Sequence, residues 1–312
     1  MEELERAHEL TRRELLEQLE GEHETTNLSA WQLVWREFRK NRLAVVGGVV
    51  VLLLVAVALG APWIAPHDPT RIDPIHKLQP PAWMEGGSWS HPLGTDHLGR
   101  DLLSRMIYGS RVSLAVGAVV VLVATSLGVV AGLVSGFFGG VADTVIQRLV
   151  EILLAFPYLV LAIALMAVMG PGLTNLFLAL VYKEWVTPAR VVRAEVLAVK
   201  QREYVEAARA LGAGPFRIMF RQILPNVLAS AVVIATLRVA WVILMESSLS
   251  FLGLGVQPPT PSWGTIIADG RSYVFQQWWI STFPGLAILL TVLAINLLGE
   301  GLRDALDPRL RE

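Results

Sequence analysis

Two stretches of this chain, residues 44–66 and 112–138, contain no charged residue at all. Each is longer than the ~20 residues an α-helix needs to cross ~30 Å of hydrocarbon. Water rejects such side chains, and lipid rejects any backbone that does not hydrogen-bond to itself, so a membrane-spanning helix is the solution left to them. Further apolar stretches follow at 152–170, 173 to about 192, 227–252 and 282–298. The set predicts an all-α membrane protein with six spans, the fourth interrupted by Lys183 and Glu184. Composition agrees: 54% hydrophobic residues, 17% charged residues and a mean hydropathy of +0.52 lie outside the range of soluble domains. Six crossings leave no length for a separate globular core, so residues 31–312 read as one transmembrane domain behind a charged tail, 1–30. The first apolar run starts too far from the N-terminus for a cleaved signal peptide and is expected to stay as a span. Cysteine is absent, which excludes disulfide and thiol chemistry, and a net charge of -1 gives no argument for nucleic acid.

Basic residues set the orientation. Arg36, Arg39, Lys40 and Arg42 crowd the start of the first span and place the N-terminus in the cytoplasm. Six crossings return the C-terminus, with Arg303, Arg309 and Arg311, to that side. The loop at 188–225, which holds Arg190, Arg193, Lys200, Arg202, Arg209, Arg217 and Arg221, also falls inside. Two loops face outward, 67–108 and 253–281. In the first, Leu98, Leu102, Leu103, Met106 and Ile107 share a helical face that suits either the membrane surface or the mouth of a helix bundle. In the second, a Pro-rich run reads as a stiff connector or as a contact for another protein. Trp278 and Trp279 read as an interfacial aromatic belt.

The inner loop carries "EYVEAARALGAGPFRIMFRQILP" from Glu203. Ala207 and Ala208 favour helix and leave a low surface that another backbone can approach closely. Gly212 can take the positive φ that ends a helix, and Pro225 suits a helix start. The pattern is helix, turn, helix, then entry into the fifth span. An amphipathic loop lying on anionic lipid has the same composition.

The stretch resembles the coupling loop of permease subunits in binding-protein-dependent ABC importers. Glu206, Ala207, Ala208, Gly212, Leu224 and Pro225 match that pattern in register, whereas Gln222 stands at a position usually held by Ile, with Ile223 following it. "HPLGTDHLGRDLLSRMIYGSRVSLAVG" from His91, "ESSLSFLGLGVQPPTPSWGTIIADGR" from Glu246 and "GEGLRDALDPRLR" from Gly299 are similar to the dipeptide, oligopeptide and nickel branch, C-type subunit. The resemblance runs from about residue 30 to 312. It implies a type I ABC importer permease fold with cytoplasmic N- and C-termini in a bacterial or archaeal inner membrane. It implies a second permease, two cytoplasmic ATPase subunits that carry the ATP and Mg, and an extracytoplasmic substrate-binding protein. Peptides are the expected cargo, with nickel or its chelates as the alternative. The loop would dock in an ATPase cleft through Glu206, Ala207 and Ala208, turn at Gly212, and pass motion through Leu224 and Pro225 into the fifth span.

Chemistry of its own is not expected. No Gly is followed by Lys, so a phosphate-binding loop is missing, and no cofactor is expected in this chain. The His residues, at 8, 23, 67, 76, 91 and 97, fall outside the spans and form no zinc-protease pair. His91 and His97 are read as water-facing loop residues rather than metal ligands. Lys183, Glu184, Arg238 and Glu246 are the anomalies, because a charge at mid-membrane costs at least ~2.5 kcal/mol. Two readings remain: neutralisation, as of Glu184 by Arg238 or by snorkelling of Lys183, and a lining of the translocation pathway that meets the charged ends of a peptide. A competitor from another class, an ion-coupled secondary transporter, would put those charges to use on ions.

Overall fold

The structure, a computed structural model, describes residues 30–306. The charged tail before residue 30, and Arg309 and Arg311, lie outside the described residues. All regular structure among them is helical: α1 Ala30–Lys40, α2 Arg42–Leu59, α3 Leu102–Phe138, α4 Gly140–Ala155, α5 Tyr158–Met169, α6 Leu173–Glu184, α7 Val186–Val199, α8 Glu203–Ala210, α9 Leu224–Phe251, α10 Trp263–Gly270 and α11 Trp279–Leu306. Four helical stretches are long and apolar enough to cross a membrane: Arg42–Leu59, Leu102–Phe138, Pro215–Phe251 and Trp279–Leu306. A fifth is reached if α4 and α5 are counted as one broken span.

Three expected spans differ in build. The third was expected to be continuous over 152–170, yet α4 and α5 meet at 92°. Pro157 lacks an N–H and forces the preceding residue out of helical geometry, and Phe156 is accordingly extended at φ -95, ψ 135. The fourth is divided between α6 and α7, of 12 and 14 residues, neither long enough alone. In the fifth, Pro225 was expected to set the helix start. It does stand in the first turn of α9, but a helical turn from Pro215 and a π-helical turn, Met219–Ile223, lead into α9 without a gap. The wide turn just before Pro225 is the usual way a helix accommodates a missing bond without breaking.

α3 is the central element. α7 lies along it because Gly128, Gly132 and Gly136 recur every fourth residue and present bare backbone on one face. A Cβ at Gly132 would stand 2.6 Å from the Ala189 carbonyl oxygen, and one at Gly128 2.6 Å from the Pro188 ring. α9 packs on another side of α3, α11 on α9, and α2 on α11.

The outer loop folds onto the bundle. Asp101 caps α3 by accepting the Ser104 N–H at 2.8 Å. Asp96, fully buried, accepts Arg100 Nε at 2.6 Å and also pairs with Arg105; both guanidinium groups reach Asp269 of α10 at 2.9 Å. Burial opposes ionisation of Asp96, but Arg105 and Arg100 outweigh it and hold the carboxyl below the usual carboxylate range. Of the two readings of the Leu98–Ile107 face, the packing fits the bundle mouth rather than the membrane surface. Leu98 precedes the helix, while Leu102 and Met106 pack with Ile266, Trp279 and Ile280. Trp279 is therefore core rather than interfacial belt, its indole needed to fill the space beneath the outer loop; Trp278 remains partly exposed. His91 was read as water-facing but is 8% exposed, because its ring bonds Asp101 at 2.9 Å.

Candidate functional site

The inner loop leaves α7 and turns into α8, eight residues with Glu203 and Glu206 in the first turn and Arg209 in the last, the arrangement that complements the helix dipole. One side chain anchors it: Val205 is fully buried among Val192, Val196, Ile218, Met219 and Ile223. The other face is open. Glu206 and Ala207 are exposed and Ala208 half-buried. Glu206 has no hydrogen-bond or ion-pair partner among the described residues. After Ala210 the backbone closes in a Schellman turn: the Gly212 N–H donates to the Arg209 carbonyl at 3.0 Å and the Ala213 N–H to the Ala208 carbonyl at 3.0 Å. Gly212 takes φ +80, a value that side chains resist, in open space. Helix resumes at Pro215. Leu224 is half-buried against the same apolar cluster, and Pro225 is exposed in the first turn of α9.

Leu211 at 88% exposure and Phe216 at 65% flank this turn, large apolar side chains standing in water or lipid headgroups. Sequence reasoning did not single them out, although an apolar residue inside an Arg-rich connector was the signal. The loop thus presents a short helix with a small-residue ridge, a free carboxylate and two apolar knobs, tied through buried Val205 to a long spanning helix. A surface of this composition suits contact with another protein or with lipid headgroups.

Between the helices, Glu184 of α6, 2% exposed, pairs with Arg238 of α9 through two bonds, one of 2.7 Å from Arg238 Nη2. The Arg238 guanidinium also lies 5.5 Å from the Trp241 ring centroid. Lys183 donates to the Phe156 carbonyl, which the α4–α5 break leaves open at the C-terminus of α4, and sits 5.7 Å from the Tyr158 ring centroid. Tyr158 in turn donates to the Leu180 carbonyl at 3.1 Å and meets Trp241 edge-on. Glu246 stands apart. It shares α9 with Arg238 but is fully buried, and accepts hydroxyls from Ser113 at 3.0 Å, Ser247 at 3.2 Å and Ser250 at 2.8 Å. Lys183, Glu184 and Arg238 are brought together, whereas Glu246 belongs to a hydroxyl cage joining α3 to α9. Tyr158 and Trp241 are the companions that sequence reasoning missed, since aromatic residues in an apolar run carry no mark of their neighbours.

Comparison with known proteins agrees with this architecture. Residues 128–312 match the family described as binding-protein-dependent transport system inner membrane component, and residues 29–81 match the N-terminal TM domain of oligopeptide transport permease C. The chain is 48% identical over 277 residues to the di/tripeptide transport system permease protein DppC of Pseudomonas aeruginosa, covering 89% of this chain and 91% of that one. It is 50% identical over 281 residues to the dipeptide transport system permease protein DppC of Escherichia coli K12, covering 90% and 94%. Among solved structures, an inward-facing MetNI methionine ABC transporter shares the fold, with a TM-score of 0.55 at 19% identity over 65% of this chain and 97% of that one. The chain belongs to the family of binding-protein-dependent transport system inner membrane components, the non-catalytic permease subunits of ABC importers.

Proposed function

We propose that this chain is one half of the translocation pathway of a peptide importer, and that α8 is where ATPase motion enters it. The single observation behind this reading is the continuity of the inner loop with α9: a docking face at Glu206, Ala207 and Ala208, a fixed turn at Gly212, and helix from Pro215 to Phe251. Two cytoplasmic ATPase subunits, which bind the ATP and Mg, would hold this chain and a second permease by matching loops. Their closure would rock the two permeases between inward- and outward-facing states. A binding protein would deliver cargo at the outer loops. Counting α4–α5 and α6–α7 as one crossing each would give six spans and leave both termini on one side, which the basic residues before the first span favour as the cytoplasm.

The names of the relatives support a di- or tripeptide cargo rather than nickel, and family membership leaves no reason to invoke ion coupling. Arg238, Glu184 and Lys183 are proposed to face the pathway, where a peptide carboxylate competes with Glu184 for the guanidinium. Glu246 enters only if α3 and α9 part, since it is enclosed in this conformation.

The test is co-purification from native membranes of wild type beside Ala207→Arg, with dipeptide uptake measured in proteoliposomes. Retention of both ATPases by wild type and their loss from the variant, with the second permease kept, is the expected result. ATPase retention by the variant at wild-type uptake would remove α8 as the docking element.

A further inference from the structure

His67, His91 and Asp101 meet on the outer face, where the chain leaves the first span and enters α3. The two imidazole rings stack with centroids 4.7 Å apart. His91 Nδ1 lies 2.9 Å from Asp101 Oδ1, and His67 Nδ1 lies 3.8 Å from Asp101 Oδ2. One ligand atom from each residue falls within 4.8 Å of the other two. His67 Nδ1 is buried and has no hydrogen-bond partner, a state that polar atoms in proteins rarely keep. The three residues border a cavity of about 140 Å³ that is also lined by Asp68, Arg71 and Asp73.

We propose that His67, His91 and Asp101 bind a divalent transition cation of the zinc type, a role separate from peptide transport. Two imidazole nitrogens and one carboxylate form the donor set such ions prefer, whereas calcium and magnesium select oxygen alone. Zinc bonds of ~2.0–2.1 Å in a tetrahedron put neighbouring ligand atoms ~3.4 Å apart. The 2.9 Å and 3.8 Å distances, to different oxygens of Asp101, lie on either side of that value, and the ligand atoms, within 4.8 Å of one another, would draw together on the ion. The cation would replace the His91–Asp101 contact and give His67 Nδ1 the partner it lacks. The cavity leaves room for water at a fourth position. Ser104 holds Asp101 Oδ2 through its N–H at 2.8 Å and its hydroxyl at 2.7 Å, and the His67 N–H donates to the same hydroxyl at 3.0 Å, so two ligands are positioned in advance. Asp96, His97 and Asp269 have similar spacing, but Arg100 and Arg105 already neutralise both carboxylates. A cation there would face two guanidinium groups.

Cobalt(II) titration of the full chain, purified in detergent and stripped with a chelator, tests the site. One cobalt per chain with four-coordinate visible absorption, displaced by one zinc, is expected. His67→Ala should weaken binding at least ~100-fold, while the metal-free protein stays folded with only a small fall in melting midpoint from the lost stacking on His91, because Nδ1 makes no hydrogen bond. His97→Ala should bind as wild type does. In unmodified protein, zinc should protect His67 and His91 from acylation mapped by mass spectrometry, a readout that needs no variant. Absence of stoichiometric binding, wild-type affinity in a folded His67→Ala, or protection of His97 in their place would overturn the assignment.

Discussion

The two large polar segments of this protein dispose of their charges in opposite ways. The outer side pairs its buried charges: Asp96, Arg100 and Arg105 join Asp269 of α10 in one network in which no member is more than partly exposed, while Arg71, Lys77 and Glu85 stay at the surface. The inner loop leaves Glu206 and the Ala207 ridge open and fastens α8 to the bundle through buried Val205, with Lys200 donating to the Gly136 carbonyl just before it. A loop that satisfies its own groups is finished by folding, while one that leaves them unmet is finished by a partner. The difference separates a cap held over the bundle from a loop with a free face, the one proposed above as the ATPase handle.

The largest blow to this contrast falls on the outer side. Asp96→Ala leaves Arg105 buried without its main counter-charge and should lower stability by ~3–5 kcal/mol, read from denaturation in detergent. Acid should reach the same clamp. The Asp96 carboxyl is depressed in the folded state, so its contribution is present above the unfolded value of ~3.9 and is lost as pH falls below that through the folded value. A melting midpoint that stays flat from neutrality to pH 2 would show that the clamp does not carry the loop. Between the two regions, Gly132→Val drives a side chain into the Ala189 carbonyl and should cost ~1–3 kcal/mol, since α7 must lift from α3.

Effects shrink toward the inner loop. Gly212→Ala meets no atom, only the resistance of a positive φ, and should cost ~1 kcal/mol, with Gly212→Asn costing less. Ala207→Arg should alter the stability of the chain by no more than ~0.5 kcal/mol while abolishing ATPase retention. A large loss of stability in Ala207→Arg would blur the contrast, since the ridge would then serve the chain itself.

Several of these features are written locally and others are not. Uncharged runs announce α2 and α3, and the Gly212 turn follows from a glycine after an Ala-rich helix. The Gly128, Gly132 and Gly136 ladder was equally legible as small residues at helical spacing, and Pro157 marked the α4–α5 break that an average over hydropathy runs straight through. The outer network was hidden, because Asp269 lies far along the chain from Arg100 and Arg105 and no periodicity joins them. The burial of Trp279 was hidden for the same reason, since Leu102 and Met106 come from a distant segment, and that of His91 because an irregular loop with no periodicity brings Asp101 onto its ring. Mid-membrane charges betray that partners must exist, but the Lys183 contact depends on a carbonyl freed by a kink elsewhere.

The unbroken run from Pro215 to Phe251, 37 residues, measures ~55 Å at 1.5 Å per residue. In the proposed function it would act as a lever pivoted inside the bilayer. A tilt of about 10° about its middle displaces each end by about 5 Å, roughly one helical turn. If α8 docks on an ATPase as proposed, small movements of that cleft would arrive at the outer end at nearly full size, beside the loop that closes the mouth.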